Sequence, residues 1–395
     1  MNRVSFPLTN WGRLPEGIDP RSGPLQMTNT SLRNLTLAAF AVLAALLLLP
    51  HAASADVSCP SDIPVVQENQ CSGPGSDGWR LVEYSPNVAG FATKTSVNRG
   101  ESVTLKLGRV NTSAAASVKV DVYRMGYYGN TGGRLITAAS SASVAVNNLF
   151  GNCGATNATT GLKSCAGWAS SYTIAGSALP ASGVYLVKLT TPSGLENTIT
   201  FVVRDDSRVP NADVLFALPT ATYEAYNNWG GASGGKSLYF DTGGGEDTIA
   251  GTPRAVKVSF DRPMDDPRQG NRFIGPDFYM IQWLEKQGYD VAYTEDVAIS
   301  QNPAQLKKAK IDMISGHSEY WSLEQMNGYL AARDAGVNIA SFSGNTAYWK
   351  VRYEDSGRTL VCYKTVEGSG STGSGEDGAN DWGPDGKLGT ADDAL

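Results

Sequence analysis

Two patterns of apolar and polar residues divide this chain of 395 residues into two regions. Up to about residue 204, apolar and polar residues alternate in short runs that are separated by Gly, Ser, Asn and Pro, which is typical of antiparallel strands in a sandwich. The clearest runs cover residues 103–107, 118–123, 184–189 and 199–203. The pattern at 138–146 is weaker and fits either a loop or an edge strand. We therefore predict an N-terminal all-β sandwich over residues 56–204.

After a polar linker at 205–210, apolar runs of strand length alternate with helical patterns. The predicted strands cover 213–218, 255–260, 290–293, 311–315 and 337–342. The predicted helices cover 278–287, 303–308 and 323–335. Such alternation predicts an α/β three-layer domain over residues 211–366, with a mainly parallel sheet that helices cover on both faces.

Both ends of the chain differ in composition from these two regions. Residues 35–49 are apolar except for Thr36, and the sequence Ala53-Ser-Ala55 follows. This pattern predicts an N-terminal extension and signal peptide over residues 1–55, cleaved near Ala55, because the apolar run is too short to span a membrane comfortably. We thus expect a secreted or periplasmic protein that has no stable membrane span after cleavage.

Residues 367–395 are rich in Gly, Ser and Asp and read as a tail that is cut short. Asp385, Asp392 and Asp393 could supply oxygen ligands to calcium. Their spacing does not match the EF-hand loop, so a solvated acidic loop is the favoured interpretation and calcium the weaker one.

Five cysteines suit an exported protein. Cys59 and Cys71 could close one short loop as a disulfide, and Cys153 and Cys165 another. Cys362 is left over, either buried or paired with something beyond the chain given. The formal net charge of −6 offers no basic surface for nucleic acid, which we exclude as a partner, while a homo-oligomer stays open.

Polar and aromatic groups follow three of the predicted strands. The strand at 213 runs into TYEAYNNWGG (222–231), with Tyr239 shortly after. The strand at 311 runs into His317 and Glu319, and the strand at 337 runs into GNTAYW (344–349). Parallel strands end at one edge of a sheet, which is where α/β proteins bind ligands, so we predict a site there. His317 is the only histidine apart from His51 in the signal segment, which excludes a metal site built from several histidines.

These segments carry a resemblance to a known family. With KSLY (236–239), SFDRP (259–263) and the stretch from Trp283 to Tyr289, they appear in the same order as in that family. Together they resemble the C-terminal domain of the N,N-dimethylformamidase large (beta) subunit family over roughly residues 210–364. A weaker similarity reaches YRMGYYG at 123–129 in the sandwich. The resemblance implies a fold similar to the class I glutamine amidotransferase domain.

The resemblance also implies a mononuclear iron held by two tyrosines and one glutamate. Carried over to this sequence, the glutamate is Glu319, one tyrosine is Tyr239, and the other is Tyr223 or Tyr226. His317 and Asn345 match polar residues beside the metal and, with Glu319, are the expected catalytic residues. Phenolate and carboxylate are hard oxygen ligands that suit ferric iron, Fe3+. The implied reaction is hydrolysis of the C–N bond of a small amide, in which His317 could pass a proton to the leaving amine.

Two other functions compete with the exported amide hydrolase. A non-catalytic protein that binds carbohydrate or another surface could use the Tyr and Trp side chains for stacking. A serine or cysteine hydrolase using His317 is the weaker reading, because no G-x-S-x-G elbow precedes a helix and Cys362 follows the last predicted strand. Metal analysis separates the amide hydrolase from the non-catalytic binding protein.

Overall fold

The computed structural model describes residues 59–111, 116–230, 235–239, 254–265 and 272–363, all within one compact unit. The predicted signal peptide and the tail with its candidate calcium ligands lie outside these residues. Among the described residues, no helix is both long and apolar enough to cross a membrane. Both predicted disulfides, Cys59–Cys71 and Cys153–Cys165, are present, and Cys362 is buried outside them.

The first region is a β-sandwich, and its strands follow the alternating pattern. They are β1 Val88–Ala92, β2 Ser96–Asn98, β3 Val103–Arg109, β4 Ser117–Met125, β5 Gly133–Leu135, β6 Ser141–Ala145, β7 Asn148–Leu149, β8 Tyr172–Ile174, β9 Gly183–Thr190 and β10 Glu196–Arg204. One sheet has the order β1-β3-β7 with β8 beside β3, and the other has the order β2-β10-β9-β4-β5 with β6 beside β4. Leu105, Val120, Val187 and Phe201 of both sheets share one buried core. The weak pattern at 138–146 thus contains a strand, β6.

The second region contains a parallel sheet. Its strands are β11 Val214–Leu218, β13 Val291–Glu295, β14 Ile311–Gly316 and β16 Asn338–Ser343, in the order β13-β11-β14-β16. The α-helices among the described residues are α1 Pro64–Val66, α2 Thr220–Ala225, α3 Pro276–Lys286, α4 Asp296–Gln301 and α5 Leu323–Asp334. Along β11, Phe216 packs with α3 whereas Leu215 packs with α5, so helices cover both faces of this strand.

One predicted strand lies in a different sheet from the one expected. The run at 255–260 forms only β12, Lys257–Ser259, and pairs antiparallel with β18, Thr359–Val361. With β15, Tyr320–Ser322, and β17, Trp349–Glu354, it builds a mixed sheet in the order β12-β18-β17-β15. The expectation that this run joins the parallel sheet is therefore wrong. Its partners come from residues near 350–361, whose mixed polar pattern did not predict strands.

The two regions share a core across their junction. Val184 and Val202 of the sandwich pack in one apolar cluster with Phe216 of β11 and Phe278 of α3. The aliphatic and aromatic side chains on this side of β9 and β10 are therefore buried by the α/β region. At roughly 25 cal/mol per Å2 of buried apolar area, a junction of this kind stabilises both regions together.

A buried ion pair lies beside that junction. Arg124 of β4 and Glu285 of α3 are fully buried, and Arg124 Nη2 donates to Glu285 Oε1 at 2.7 Å. Tyr293 donates its hydroxyl to the same oxygen at 2.6 Å, and the Asn69 amide donates to Glu285 Oε2. Such a pair is tolerated in an apolar interior because each charge is also hydrogen-bonded.

A second carboxylate, that of Glu295 at the end of β13, joins the regions by hydrogen bonds. It accepts the hydroxyls of Thr95 and Ser96 from the sandwich at 3.2 and 2.7 Å and that of Thr220 at 2.8 Å. It also caps α4 by accepting the backbone N–H groups of Val297 and Ala298. The cap removes two of the orphan donors at the start of that helix.

Asp312 of β14 is a buried acid, and neither of its carboxyl oxygens has a hydrogen-bond partner among the described residues. Burial raises its pKa to about 8. Since the pKa is higher in the folded than in the unfolded protein, the destabilising effect of Asp312 is smallest below about pH 4 and grows as the pH rises towards 8.

We expect Asp312→Val to stabilise the protein by about 1–3 kcal/mol at pH 8, and by less at pH 5, because it removes an unpaired buried polar group. Urea unfolding of both proteins at the two pH values measures the difference. Asp334→Asn, at the exposed end of α5, is the control and should show no such pH dependence. A gain from Asp312→Val that is equal at both pH values would contradict the role of its proton.

Candidate metal and active site

The candidate site lies at the carboxyl edge of the parallel sheet. His317 and Glu319 belong to the connection between β14 and β15, and Tyr226 is the C-cap of α2, which follows β11. Tyr239 comes from the described segment 235–239 and Trp349 from the start of β17. Neighbouring parallel strands deliver their following segments to one edge, which explains how residues about 90 positions apart meet.

Both carboxylate oxygens of Glu319 accept a tyrosine hydroxyl. Tyr226 donates to Oε2 at 3.0 Å, and Tyr239 donates to Oε1 in a short hydrogen bond. The indole N–H of Trp349 also donates to Oε1, at 3.1 Å. Glu319 is buried, with a side-chain exposure of 4%, so the carboxylate is held by these groups rather than by solvent.

His317 is the solvent-facing member of this cluster. Its Nε2 lies 3.1 Å from Glu319 Oε2 and 3.4 Å from the Tyr226 hydroxyl. The side chain is 39% exposed, in contrast to the buried Glu319. An imidazole that contacts the carboxylate at one edge and solvent elsewhere can exchange protons with a molecule that enters from outside.

Backbone bonds fix the loop that carries Glu319. Its N–H donates to the Thr222 hydroxyl of α2 at 3.0 Å, and its carbonyl accepts the N–H of Trp349 at 2.9 Å. Gly316 begins the loop with a φ of +67°, and a Cβ there would lie only 2.7 Å from an oxygen of Asp277. A glycine is therefore required for the chain to leave β14 in this direction.

The two tyrosine rings pack on each other. Tyr226 and Tyr239 stack with centroids 4.2 Å apart, and the guanidinium of Arg272 lies 5.6 Å from the Tyr226 centroid. Burial raises the pKa of Tyr239, and the hydrogen bond to Glu319 raises it further. The phenol therefore holds its proton at neutral pH, and a metal ion bound there would have to displace that proton.

The structure separates the two tyrosines that the sequence left open. Tyr226 reaches Glu319, whereas Tyr223 donates its hydroxyl to Asp277 at 2.7 Å. Asn345 is exposed with a φ of +48°, and among the described residues no hydrogen bond joins its side chain to the cluster. Its neighbour Gly344 is nearer, since a Cβ there would lie 3.6 Å from His317 Nδ1.

Two residues of the site were not predicted from the sequence. Trp349 ends the GNTAYW segment, and the position of that segment after a parallel strand was the available signal. Arg272 also lies at the site, and its Nη2 donates to the carbonyl of Tyr226 at 2.9 Å. No motif around Arg272 indicates that contact.

The donor set can be tested against a metal by its chemistry. Among the described residues, no group of three or more His, Cys, Asp or Glu could hold a metal ion. The cluster instead offers two phenol oxygens and one carboxylate, from Tyr226, Tyr239 and Glu319. In deprotonated form this set carries three negative charges on hard oxygens, which fits Fe3+ and fits a softer divalent ion poorly.

These features define a protein with an oxygen-donor site at the edge of an α/β sheet joined to a β-sandwich. The chain belongs to the family described as N,N-dimethylformamidase beta subunit-like, C-terminal, which it matches over residues 119–388. No curated protein matches the chain.

Among solved structures, murine CEACAM1b is similar to part of the chain. It shows 14% identity and a TM-score of 0.16 over 30% of this chain and 54% of the murine one. The chain thus spans about half the length of that structure.

Proposed function

We propose that this chain is an exported, metal-dependent hydrolase that cleaves the C–N bond of a small amide. The main support for this proposal is that Tyr226 and Tyr239 both donate their hydroxyls to the carboxylate of Glu319. Membership of the dimethylformamidase-like family supports an amide as the substrate. The two disulfides support an oxidising compartment and thus export.

In this proposal, Tyr226, Tyr239 and Glu319 hold ferric iron. Bound iron would polarise the amide carbonyl and acidify a water molecule. Trp349 keeps the carboxylate of Glu319 in place through its indole N–H, and the ring stacking keeps both phenols in position. His317 accepts a proton and passes it to the leaving nitrogen, for which its exposed position beside Glu319 is suited.

The pair of tyrosines on α2 gives the sharpest test of the ligand set. We expect Tyr226→Phe to lower iron affinity by more than about tenfold and to weaken the visible absorption of a ferric phenolate, because one anionic ligand is lost. Tyr223→Phe is the matched control and should keep both, since its hydroxyl is bound to Asp277. Metal analysis and visible absorption spectra of the purified variants provide the measurement. Loss of iron in Tyr223→Phe, with retention in Tyr226→Phe, would reverse the assignment.

The alternative, a non-catalytic protein that binds carbohydrate or another surface, makes a different prediction. A chain purified from its own host without iron or colour, and with measurable glycan binding, would favour that alternative over the hydrolase. Iron at one equivalent together with amide hydrolysis would favour the hydrolase.

A further inference from the structure

An apolar cavity of about 80 Å3 lies between the sandwich and α2, apart from the Glu319 cluster. The residues that line it include buried apolar ones, namely Val184, Phe201, Val202, Leu218, Phe260 and Phe273. Tyr226, Tyr239 and Glu319 are not among its lining residues. The cavity is thus a second concave site.

One end of this cavity is polar. Lys94, Thr95 and Arg358 line both the apolar cavity and an adjoining polar one of about 210 Å3. Arg358 binds Asp261 and the carbonyls of Ala92 and Phe260 through Nε and Nη2. Its Nη1 is buried and has no hydrogen-bond partner among the described residues. An unsatisfied buried N–H is costly, so the guanidinium of Arg358 is not fully neutralised by its hydrogen bonds and adds positive charge at this end of the cavity.

The charges around this end allow an anion. Asp261 offsets part of the charge of Arg358, and Glu295 is occupied by its own five hydrogen bonds. In the part of the chain that the structure describes, Lys94 has one ionic partner, Glu101 at 3.8 Å, and both of these side chains are more than half exposed. An exposed pair of this kind contributes little, so Lys94 can turn to a ligand at small cost.

Size limits the ligand. One water-sized group needs about 10–15 Å3, so the apolar cavity of about 80 Å3 accepts roughly five to eight such groups. We propose that it binds a short-chain monocarboxylate of about four to six carbons. The hydrocarbon chain lies against Val184 and Val202, which are paired across β9 and β10, and the carboxylate faces Lys94 and the guanidinium of Arg358.

The test is calorimetric titration of the full chain with hexanoate, hexanamide and 1-hexanol, which share one chain length. We expect hexanoate to bind at least tenfold more tightly than the two neutral compounds. Lys94→Gln should weaken hexanoate binding at least threefold, whereas Lys119→Gln on β4, which does not line the cavity, should leave it unchanged. Val202→Phe should abolish binding, because the added ring fills the apolar end.

Several results would overturn the proposal. Equal binding of the three compounds would show that the cavity has no site for a carboxylate. Absence of hexanoate binding would show that the cavity does not take this class of ligand. Unchanged binding in Lys94→Gln or in a folded Val202→Phe would place the ligand elsewhere. If Val202→Phe does not fold, the hexanoate affinity of Lys94→Gln alone tests the proposal. Glu319→Gln separates this site from the proposed iron site, because hexanoate held by iron would be lost in that variant and hexanoate in the cavity would be kept.

Discussion

Glu319→Gln is expected to remove both iron and amide hydrolysis while leaving the fold in place. The carboxylate accepts from Tyr226, Tyr239 and Trp349 at once, so it is the group that joins the three elements of the cluster. Glutamine keeps the size and one acceptor oxygen but lacks the negative charge that a ferric ion requires. We expect iron affinity to fall more than about 100-fold, since even partners outside the ligand set cost 10–100-fold.

Iron content, the visible absorption spectrum and amide hydrolysis, measured on wild type and variant side by side, test this expectation. Glu324→Gln, on the first turn of α5 and exposed, is the control for the substitution itself. Far-UV circular dichroism of both variants should overlay that of the wild type. A Glu319→Gln protein that retains one equivalent of iron would sink the ligand assignment.

Glu285→Ala should destabilise the protein by about 3–5 kcal/mol, the largest stability effect that we expect, because it leaves the Arg124 guanidinium buried without its anion. Tyr293 and Asn69 lose their acceptor in the same step. Equilibrium unfolding in urea measures the change in the free energy of unfolding.

Two comparisons make the cause of that loss visible. Asp334→Ala breaks an exposed pair with Arg333 and should cost no more than about 1 kcal/mol. The double variant Arg124→Met with Glu285→Leu removes both charges and should recover much of the loss, because apolar replacements of a buried pair are often neutral. A double variant as unstable as Glu285→Ala would show that packing, and not the unpaired charge, sets the cost.

The periodicity of the chain predicted the strands whose burial is regular. In β3, apolar and polar residues alternate, and β11 is an apolar run buried throughout, so both signals follow directly from their surroundings. The pattern failed for β12, because a strand of three residues carries too little periodicity to reveal whether its partner is parallel or antiparallel. That choice was set by β18, which lies about 100 residues away.

The residues of the candidate site also fall into those that the sequence predicted and those that it did not. The sequence placed Glu319, His317 and the tyrosine-rich segment at one sheet edge, because parallel topology requires it. The choice between Tyr223 and Tyr226 depends on the direction in which each residue leaves a short helix, and α2 has only six residues. Arg272 could not be predicted, because it reaches Tyr226 through the packing of a loop rather than through a repeat or a strand end.

The hydrogen bonds of Glu295 have a consequence for protein engineering. Its carboxylate accepts hydrogen bonds from Thr95 and Ser96 of the sandwich and also caps α4. If either region is removed, polar groups of the other therefore lose their hydrogen-bond partners. Val184 and Val202 would become an exposed apolar face in an isolated sandwich. The sandwich is therefore not an interchangeable module. Grafting it onto another α/β domain would require that domain to supply a carboxylate in the place of Glu295 and an apolar surface that covers Val184 and Val202.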